Sequence, residues 1–564
     1  MAGEFSKQLH FLNETRLENG PWQAFERSLA RMLQHGGFKD VTVVGGSGDL
    51  GADVVATKGK KKWVIQAKYR SSGSVGRNAV MEAFKAMQAY GTDVCVTATN
   101  QYFSADAVKY NTSKRKLGYD TQLWDHAKLL GLGEQIPQNS KAQRTPREYQ
   151  KEAISAVLNA ISDGERSGLV TLATGLGKTM VASSIIAEHL LENPEAQILV
   201  LAHMSDLVRQ LDAASWAQID KNTHTHVWTD GERPAFRGGI IFATWQSIDI
   251  AFKNGEIPTN YFDLIIVDEC HHAPSNTFSN LLVNLNAGFL LGVTATPWRS
   301  DNSTLRELFG EPLFSMNVVE GMQQGFLARV NYQMLTDGID WEHISLLSQK
   351  GHTVKDLNQL LYIPERDLGM VDEIVETISN TDNPRVLVFC RTIRHAERLL
   401  GYFRRFDIPS AILHSNLGRT ERFKALSGFR IGKISVLISI EMLNEGIDVP
   451  EVNIVCFARV THSRRIFLQQ LGRGLRLSDN KTEVKVLDFV ADIRRVAAGL
   501  ELNAEANRLR EEESISYPEG DIVNFSSDIT SFFDQYLEDM ADISNLDDSS
   551  RLNFPTMREI NPNV

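Results

Sequence analysis

The feature that most constrains the fold is an alternation of short apolar segments with helical segments, from about residue 147 to residue 500. Each apolar segment is typical of a fully buried strand, and strands that alternate with helices form parallel sheets covered on both faces. There are too many strands for one sheet, so we expect two lobes with a break near residue 310. The segments are LVTLAT, ILVLAH, GIIFAT, LIIVDE, LLGVTAT, RVLVFC, SAILHS, SVLISI, VNIVCFA and VKVLDFV.

The first part of the chain has another pattern. Trp22, Phe25, Leu29 and Leu33 recur at helical spacing, and two glycines follow that helix. Strand-like runs come next, which predicts a small α/β domain. The runs are VTVVG, DVVAT, WVIQAK and VCVTAT. The predicted parts of the chain are a first domain (1–132), a polar linker (133–146), a first lobe (147–310), a second lobe (311–500) and an acidic extension (501–564).

Charge is distributed unevenly along the chain. Of the net charge of −11, the whole excess lies in residues 501–564, which hold 15 acidic and 4 basic residues. This acidic extension is either a solvated cap or an autoinhibitor that mimics a nucleic-acid strand. Residues 1–131 hold 18 basic and 12 acidic residues, and this mild excess of positive charge fits a polyanionic partner.

Composition excludes two classes of protein. The four cysteines are scattered and form no CxxC pair, so a disulfide scaffold is excluded. No apolar run approaches the roughly 20 residues that span a bilayer, and the N-terminus lacks the basic start and apolar core of a signal peptide. We therefore expect a cytoplasmic protein that does not associate with membranes.

The segment ATGLGKT connects a strand to a helix through a glycine-containing turn. Backbone N–H groups of such a turn cradle phosphates at a helix N-terminus, and Thr174, Gly175 and Gly177 would form it here. Lys178 would reach the β- and γ-phosphates, and the Thr179 hydroxyl would hold Mg²⁺. The segment begins with alanine where the strict P-loop pattern has glycine.

The second signal is a pair of acidic residues that follows the segment FDLIIV. Asp268 and Glu269 end this apolar strand, where Asp268 would bind Mg²⁺ through water and Glu269 would polarise the attacking water. The next three residues, Cys270 to His272, are zinc-ligand types. Adjacent residues of an extended chain cannot all converge on one ion, which argues against zinc.

Through these two segments, residues 145–500 resemble the superfamily-two helicases and translocases, in the branch of type III restriction subunits and DNA-repair translocases. Further segments match the family's motifs in order: REYQKEAI, LAHMSDLVRQ, FATWQSI, TATP, VLVFCRTIRHAERL, ISIEMLNEGIDVPEVN and QQLGRGLR. The resemblance implies two RecA-like lobes and ATP with Mg²⁺ as cofactors. It implies that Gln150 reads adenine, that Gly446 and Asp448 lie near the nucleotide, and that Gln470 positions the water or the nucleotide.

Arg473 and Arg476 lie three residues apart, and so on one face of a helix. They fall in the second lobe, whereas the phosphate-binding turn falls in the first. Their guanidinium groups would therefore stabilise charge on the γ-phosphate only when the lobes close. This predicts that ATP hydrolysis depends on lobe closure, which is the motion that moves a translocase along a strand.

A second candidate site lies in the first domain. Asp53 begins one strand, and Gln66 and Lys68 share a face of the next strand because side chains alternate. A carboxylate, an amide oxygen and a lysine at adjacent strand ends can hold a hard cation such as Mg²⁺ and offset charge on a scissile phosphate. The alternative is that Asp53 and Lys68 form only a cross-strand ion pair.

Residues 20–110 resemble the Mrr-type restriction endonucleases, through the segments FERSLARMLQHGGFKDVTVVGGSGDLGADVV and WVIQAKYR. The resemblance implies that Asp53 and Gln66 are metal ligands and that Lys68 is the catalytic lysine. Some members add an acidic residue where Glu26 stands, whereas Asp49 fits a turn residue. Glutamine in place of the commoner glutamate lowers the ligand charge. The family implies DNA as the partner.

These observations predict an ATP-dependent DNA translocase or helicase with a fused Mg²⁺-dependent DNA endonuclease, acting in restriction of foreign DNA or in DNA repair. DNA would be held through its phosphate backbone. Three alternatives stay open. The ATPase could gate the nuclease as a switch without translocation, the nuclease-like domain could only bind DNA, or the chain could be an RNA helicase with an accessory domain.

Overall fold

The structure is a computed structural model of the whole chain. It describes residues 10–44, 51–273, 276–295, 302–335, 346–347, 349–353, 366–390, 392–414, 416–440, 449, 451–458, 472, 474–477, 481, 483–489 and 522–525. By its internal contacts the chain divides into two compact units. The first contains Met1–Leu172, Gly177–Ser315 and Gly418–Thr420. The second contains Ala173–Leu176, Met316–Leu417 and Glu421–Val564.

The N-terminal domain is built on a five-stranded sheet of order β1-β2-β3-β4-β5. Its first three strands are antiparallel, and β3, β4 and β5 are parallel, so the carboxyl ends of the last three meet at one edge. The strands are β1 (Lys39–Val43), β2 (Val54–Lys58), β3 (Lys61–Lys68), β4 (Val94–Thr99) and β5 (Asp120–Trp124). The helices are α1 (Glu14–Asn19), α2 (Trp22–His35), α3 (Arg77–Tyr90), α4 (Ala105–Lys116) and α5 (His126–Glu134).

The first lobe is a parallel α/β layer structure, as the alternating pattern predicts. Its sheet has the order β12-β6-β11-β10-β7-β9-β8, and the core strand β10 is flanked by β11 and β7 in parallel register. The strands are β6 (Ser167–Leu172), β7 (Ile198–Ala202), β8 (Thr225–Trp228), β9 (Ile240–Thr244), β10 (Leu264–Asp268), β11 (Phe289–Thr294) and β12 (Pro312–Met316). The helices are α6 (Glu148–Ser162), α7 (Lys178–Glu192), α8 (Ser205–Ser215), α9 (Trp245–Lys253), α10 (Asn276–Leu285) and α11 (Asn302–Phe309).

The second lobe repeats this architecture, with a sheet of order β15-β16-β14-β17-β18-β13-β19. Its strands are parallel except β19, which pairs antiparallel with β13. The strands are β13 (Arg329–Leu335), β14 (Val386–Cys390), β15 (Ser410–Leu413), β16 (Val436–Ile440), β17 (Ile454–Phe457), β18 (Glu483–Phe489) and β19 (Ile522–Phe525). The helices are α12 (Val318–Gln323), α13 (Arg366–Ser379), α14 (Ile393–Arg405) and α15 (Arg419–Arg430). Apart from β19, the predicted acidic extension lies outside the described residues.

Within the first unit, helix α2 fastens the N-terminal domain to the first lobe through a buried ion-pair cluster. Arg27 is 8 % exposed, and its guanidinium lies 3.1 Å from the carboxylate of Asp212 on α8 and donates to Glu232 at 2.8 Å. The indole N–H of Trp216 also donates to Asp212, at 2.9 Å. Because a buried charge is costly without its partner, this pairing holds the two domains in one arrangement.

Two further arginines of the N-terminal domain donate hydrogen bonds to the backbone of the first lobe. Arg31, one turn beyond Arg27, donates to the carbonyls of Thr223 and Asp220, both at 2.7 Å. Arg16 on α1 donates to the carbonyl of Thr225 at 2.9 Å. We call Arg16, Arg27 and Arg31 the arginine clamp. All three are buried.

The same contact region buries histidines, and this predicts an acid-sensitive structure. Burial, with the charge of Arg31, lowers the pKa of His35 to about 4, and burial with the charge of Arg16 lowers the pKa of His224 and of His226 to about 3. In the folded protein each imidazole is neutral at pH 5 to 7. In the unfolded chain it binds a proton once the pH falls below its ordinary pKa of 6.5. Lowering the pH from 7 to 5 should therefore reduce the free energy of unfolding by about 2 kcal/mol per histidine.

Calorimetric unfolding of the full chain at pH 7, 6 and 5 measures this loss, in the transition that contains the first unit. The variant His35→Gln should lose about one third less stability over the same range, because its amide can donate to the carbonyl of Trp216 as His35 does at 3.0 Å. A stability that stays constant from pH 7 to pH 5 would contradict the prediction.

In the part of the chain that the structure describes, no helix is long and apolar enough to cross a membrane. The four cysteines are all buried and free. The cytoplasmic location stays a prediction.

Candidate functional site

The turn between β6 and α7 has the backbone that a phosphate-binding loop requires. Gly175 and Gly177 adopt φ angles of 97° and 83°, a region that L side chains rarely enter. A Cβ on Gly177 would lie 2.6 Å from Nε2 of Gln150, so the side chain of Gln150 packs closely against this glycine. The Thr174 hydroxyl is buried and has no hydrogen-bond partner among the described residues, which fits a position that awaits a ligand.

Lys178 and Glu269 meet at the carboxyl edge of the first-lobe sheet. The ammonium of Lys178, at the start of α7, lies 3.1 Å from the carboxylate of Glu269, and each side chain is 12 % exposed. Glu269 follows β10 with a left-handed φ of 49°, a strained conformation that is frequent at functional sites. Asp268 ends β10 beside it. The structure thus brings together Lys178, Asp268 and Glu269.

The two carboxyl groups are held in different protonation environments. Burial, and then the charge of Glu269, raises the pKa of Asp268 to about 7. Burial alone would raise the pKa of Glu269 as well, but the charge of Lys178, and then the nearby His271, hold it well below its usual range. A cation bound at Asp268 would replace the proton that burial favours there.

A hydrogen bond connects the acidic segment to the TATP segment. Nδ1 of His271 lies 2.9 Å from the Thr294 hydroxyl at the end of β11, and 3.3 Å from the carboxylate of Glu269. Cys270 and His271 are both buried, and they belong to a short 3₁₀ turn. Among the described residues, no group of three or more His, Cys, Asp or Glu side chains could hold a metal ion.

The other predicted nucleotide-site residues are placed as follows. Gln150 is buried on α6, and its carbonyl oxygen accepts the N–H of Arg147 at 2.9 Å. Thr179 lies in the first turn of α7. Arg476 is described and forms an isolated bridge with Leu327. Four predicted residues lie outside the described residues: Gly446, Asp448, Gln470 and Arg473.

The nuclease candidates meet where β2 begins and β3 ends. The Asp53 carboxylate accepts the side-chain N–H of Gln66 and the backbone N–H of Ala67, both at 2.6 Å. Asp53 and Gln66 are each 4 % exposed. The other amide atom of Gln66, Oε1, is buried and has no hydrogen-bond partner among the described residues. A buried acceptor beside a buried carboxylate fits a hard cation.

Gly51 leaves the space for that oxygen. Its φ is 84°, and a Cβ there would lie 2.9 Å from Oε1 of Gln66. Asp49 lies outside the described residues.

Lys68 has a carboxylate partner that the spacing did not predict. Its ammonium lies 2.7 Å from the carboxylate of Glu82 on α3, and both side chains are partly exposed. Nothing in the spacing indicates this pairing, because Glu82 comes from a separate helix.

A cavity of about 550 Å³ opens over this group. Glu26 lines it and is 8 % exposed, so the helix residue implied by the resemblance does lie at the site. The cavity is lined by Trp22, Phe25, Glu26, Gly51, Asp53, Gln66, Ala67, Lys68, Tyr69 and Glu82. It therefore combines carboxylates, one ammonium and three aromatic rings.

Comparisons with known protein families divide the chain in the same order. Residues 17–132 match the family model described as "Restriction endonuclease". Residues 143–299 match "Type III restriction enzyme, res subunit", and residues 369–478 match "Helicase conserved C-terminal domain".

Individual relatives match about three fifths of this chain. The type I restriction enzyme EcoAI endonuclease subunit of Escherichia coli is 27 % identical over 61 % of this chain and 46 % of its own length. The DNA 3′–5′ translocase XPB2 of Sulfurisphaera tokodaii is 27 % identical over 59 % of this chain and 79 % of its own length. Three of the relatives are longer, and the chain spans only 46 to 58 % of their lengths.

Among solved structures, the ATP-dependent type ISP restriction-modification enzyme LlaBIII bound to DNA matches 93 % of this chain and 42 % of its own, with a TM-score of 0.53 and 17 % identity. At that identity the match shows a shared fold. The family models show a restriction-endonuclease domain followed by the res-subunit and C-terminal domains of a helicase.

Proposed function

We propose that this protein is an ATP-driven DNA translocase or helicase with a fused Mg²⁺-dependent DNA endonuclease, acting in restriction of foreign DNA or in DNA repair. One observation carries the proposal: a single compact unit contains both the Lys178–Asp268–Glu269 group and the Asp53–Gln66–Lys68 group. The restriction-endonuclease model and the names of the relatives favour DNA over RNA as the partner.

In the ATPase, Lys178 would exchange its ion pair with Glu269 for the β- and γ-phosphates of ATP. That exchange frees the Glu269 carboxylate to orient and polarise the attacking water. Thr179 and Asp268 would hold Mg²⁺, which neutralises charge on the phosphates when it is bound. Arg473 and Arg476 would stabilise the transferring γ-phosphate, and Gln150 would read the adenine.

In the nuclease, Asp53 and Gln66 would hold Mg²⁺ through the carboxylate and the orphaned amide oxygen. The ion would polarise the scissile phosphate when bound. Lys68 would orient the attacking water and offset the negative charge that develops on the phosphate. A single carboxylate suffices because Mg²⁺ usually keeps several waters and takes only one or two protein carboxylates.

The test is cleavage of linear and closed-circular duplex DNA by the full chain, with and without ATP. Mg²⁺ should support cutting, and chelation with EDTA should abolish it. Ca²⁺ in place of Mg²⁺ should support binding without efficient cutting, because the larger ion tolerates irregular geometry and polarises the phosphate less well. Undiminished cutting in EDTA would exclude the proposed metal role.

Displacement of a third DNA strand separates translocation from an ATPase switch. A translocase should strip a triplex-forming oligonucleotide from duplex DNA only while it hydrolyses ATP. A switch should leave the oligonucleotide in place, and a non-hydrolysable ATP analogue should then support cutting as well as ATP does. The intact Asp53, Gln66 and Lys68 disfavour a domain that only binds DNA, since binding alone does not need all three.

A further inference from the structure

A half-exposed tryptophan stands at the mouth of the nuclease cavity. Trp22 is 51 % exposed, and it lines the cavity together with Phe25 and Glu26. These three share one face of α2 because residues three and four positions apart are neighbours on a helix. Among the described residues Trp22 has no hydrogen bond, ion pair or ring partner. One face of a large aromatic ring is therefore available to a ligand.

The cavity is larger and more varied than a metal and a phosphate require. Its volume of about 550 Å³ lies within the range of about 300–1,000 Å³ that is typical of sites for small molecules. Its floor holds Asp53, Gln66 and Lys68, which suit a metal-bound phosphate. The rim holds an indole, which suits a flat aromatic group. A phosphate joined to a flat aromatic group describes a nucleotide.

The arginine clamp anchors the helix that carries Trp22. Arg27 and Arg31 lie one and two turns further along the same helix, and their buried contacts with the first lobe fix α2. Phe25, which lies between Trp22 and Arg27 in the sequence, is fully buried. The centre of its ring lies 6.0 Å from that of Tyr69, which also lines the cavity. The backbone position from which Trp22 projects is thus fixed relative to Asp53 and Gln66.

We propose that this cavity takes an unpaired nucleotide of a DNA strand and that Trp22 stacks on its base. Within a continuous duplex both faces of a base are covered by its neighbours, so an indole can stack only on a base that is unpaired, terminal or flipped out. The cavity therefore favours single-stranded DNA, a flap or a frayed end over a continuous duplex, in which a base must first be flipped out of the stack at an energetic cost. This inference rests on the proposed nuclease function of the same cavity.

Cleavage kinetics test the substrate class. Wild-type full chain should cut a single-stranded oligonucleotide with a higher kcat/KM than a continuous hairpin duplex of the same sequence. Trp22→Ala should lower kcat/KM on the single strand about 5- to 150-fold, mostly through KM, since that is the range measured when stacking on one base is removed. Trp22→Phe should keep most of the activity because it retains an aromatic face.

The matched control is Tyr119→Ala. Tyr119 is 41 % exposed and precedes β5, at the opposite end of the parallel strands from Gln66 and Lys68. It should leave cleavage of the single strand unchanged. DNA-stimulated ATP hydrolysis and the melting temperature of Trp22→Ala should match wild type, which excludes a general loss of folding.

A binding measurement isolates the stacking contact from contacts elsewhere in the chain. The probe is a single-stranded oligonucleotide that contains 2-aminopurine, bound in Ca²⁺ without ATP. Wild type should quench its fluorescence more strongly than Trp22→Ala does, because contacts away from Trp22 are common to both proteins. Equal quenching, or equal single-strand cleavage by Trp22→Ala and wild type, would overturn the proposal.

A parallel assay of Lys68→Ala separates this inference from the nuclease proposal. If wild type cuts and Lys68→Ala does not, the cleavage comparison decides the role of Trp22. If wild type cuts no DNA, the nuclease proposal fails, and the 2-aminopurine comparison alone decides the stacking: quenching that Trp22→Ala loses supports it, and equal quenching excludes it.

Discussion

Replacing Lys178 with alanine is expected to lower the rate of ATP hydrolysis at least about 10²- to 10³-fold. The substitution removes the one ammonium at the start of α7, which lies 3.1 Å from Glu269. Loss of a preorganised positive group that faces developing phosphate charge has effects of this size. Steady-state phosphate release, with and without DNA, measures the loss. A rate within a few-fold of wild type would exclude the assignment of this turn to ATP.

Lys151→Ala is the matched control for this experiment. Lys151 also pairs with a carboxylate, Glu148 at 3.1 Å, but on the exposed side of α6. Its removal should leave ATP hydrolysis unchanged, since an exposed pair contributes little to stability. Because Lys178→Ala leaves Glu269 buried without that partner, the variant should also melt at a lower temperature. The double substitution Lys178→Ala with Glu269→Gln removes the uncompensated charge and should restore the melting temperature but not the hydrolysis.

Replacing Lys68 with alanine is expected to lower DNA cleavage about 10²- to 10⁴-fold while DNA-stimulated ATP hydrolysis stays intact. The ammonium at the end of β3 is the positive group beside Asp53 and Gln66, and it would both orient water and offset phosphate charge. Cleavage of labelled DNA under single-turnover conditions measures the effect. Cutting at the wild-type rate would move the nuclease site to another part of the molecule.

Lys61→Ala controls for the loss of a lysine from the same strand. Lys61 begins β3 and pairs with Asp120 at 3.2 Å, so it matches Lys68 in residue type, strand and partner charge. It should cut DNA as wild type does. Glu82→Gln adds a second comparison: it releases Lys68 from its ion pair, and normal cutting by this variant would show that the pair is not needed to position the ammonium.

The sequence predicted the sheets well where strands are buried on both faces. All ten apolar segments of the two lobes are strands, from β6 to β18, because a run of apolar residues has few other stable positions. The strands that were missed include β5, β8 and β12, which lie at sheet edges. Edge strands are half-exposed, so their composition is mixed and the apolar signal disappears.

The candidate sites also contain residues that the sequence can indicate and contacts that it cannot. Turn and strand-end residues such as Lys178, Asp268 and Asp53 can be found from the sequence, since a local pattern places each of them. Contacts between distant segments of the chain cannot be found from the sequence in this way. Glu82 meets Lys68 only because α3 packs against β3, and Arg27 meets Glu232 across 205 positions of the chain. No spacing rule encodes such pairs.

The arginine clamp also limits how such proteins can be recombined. Residues 1–132 resemble a cassette that could be moved to another motor, but the counter-charges of Arg27 belong to positions 212 and 232. If another motor buried these three guanidinium groups without acceptors for them, each unpaired ion would cost several kcal/mol, so the transplanted domain would not dock as it does here. The unit that must be transferred for the nuclease domain to dock is therefore discontinuous in sequence. It comprises the nuclease domain together with Asp212, Glu232 and the backbone carbonyls of residues 220–225.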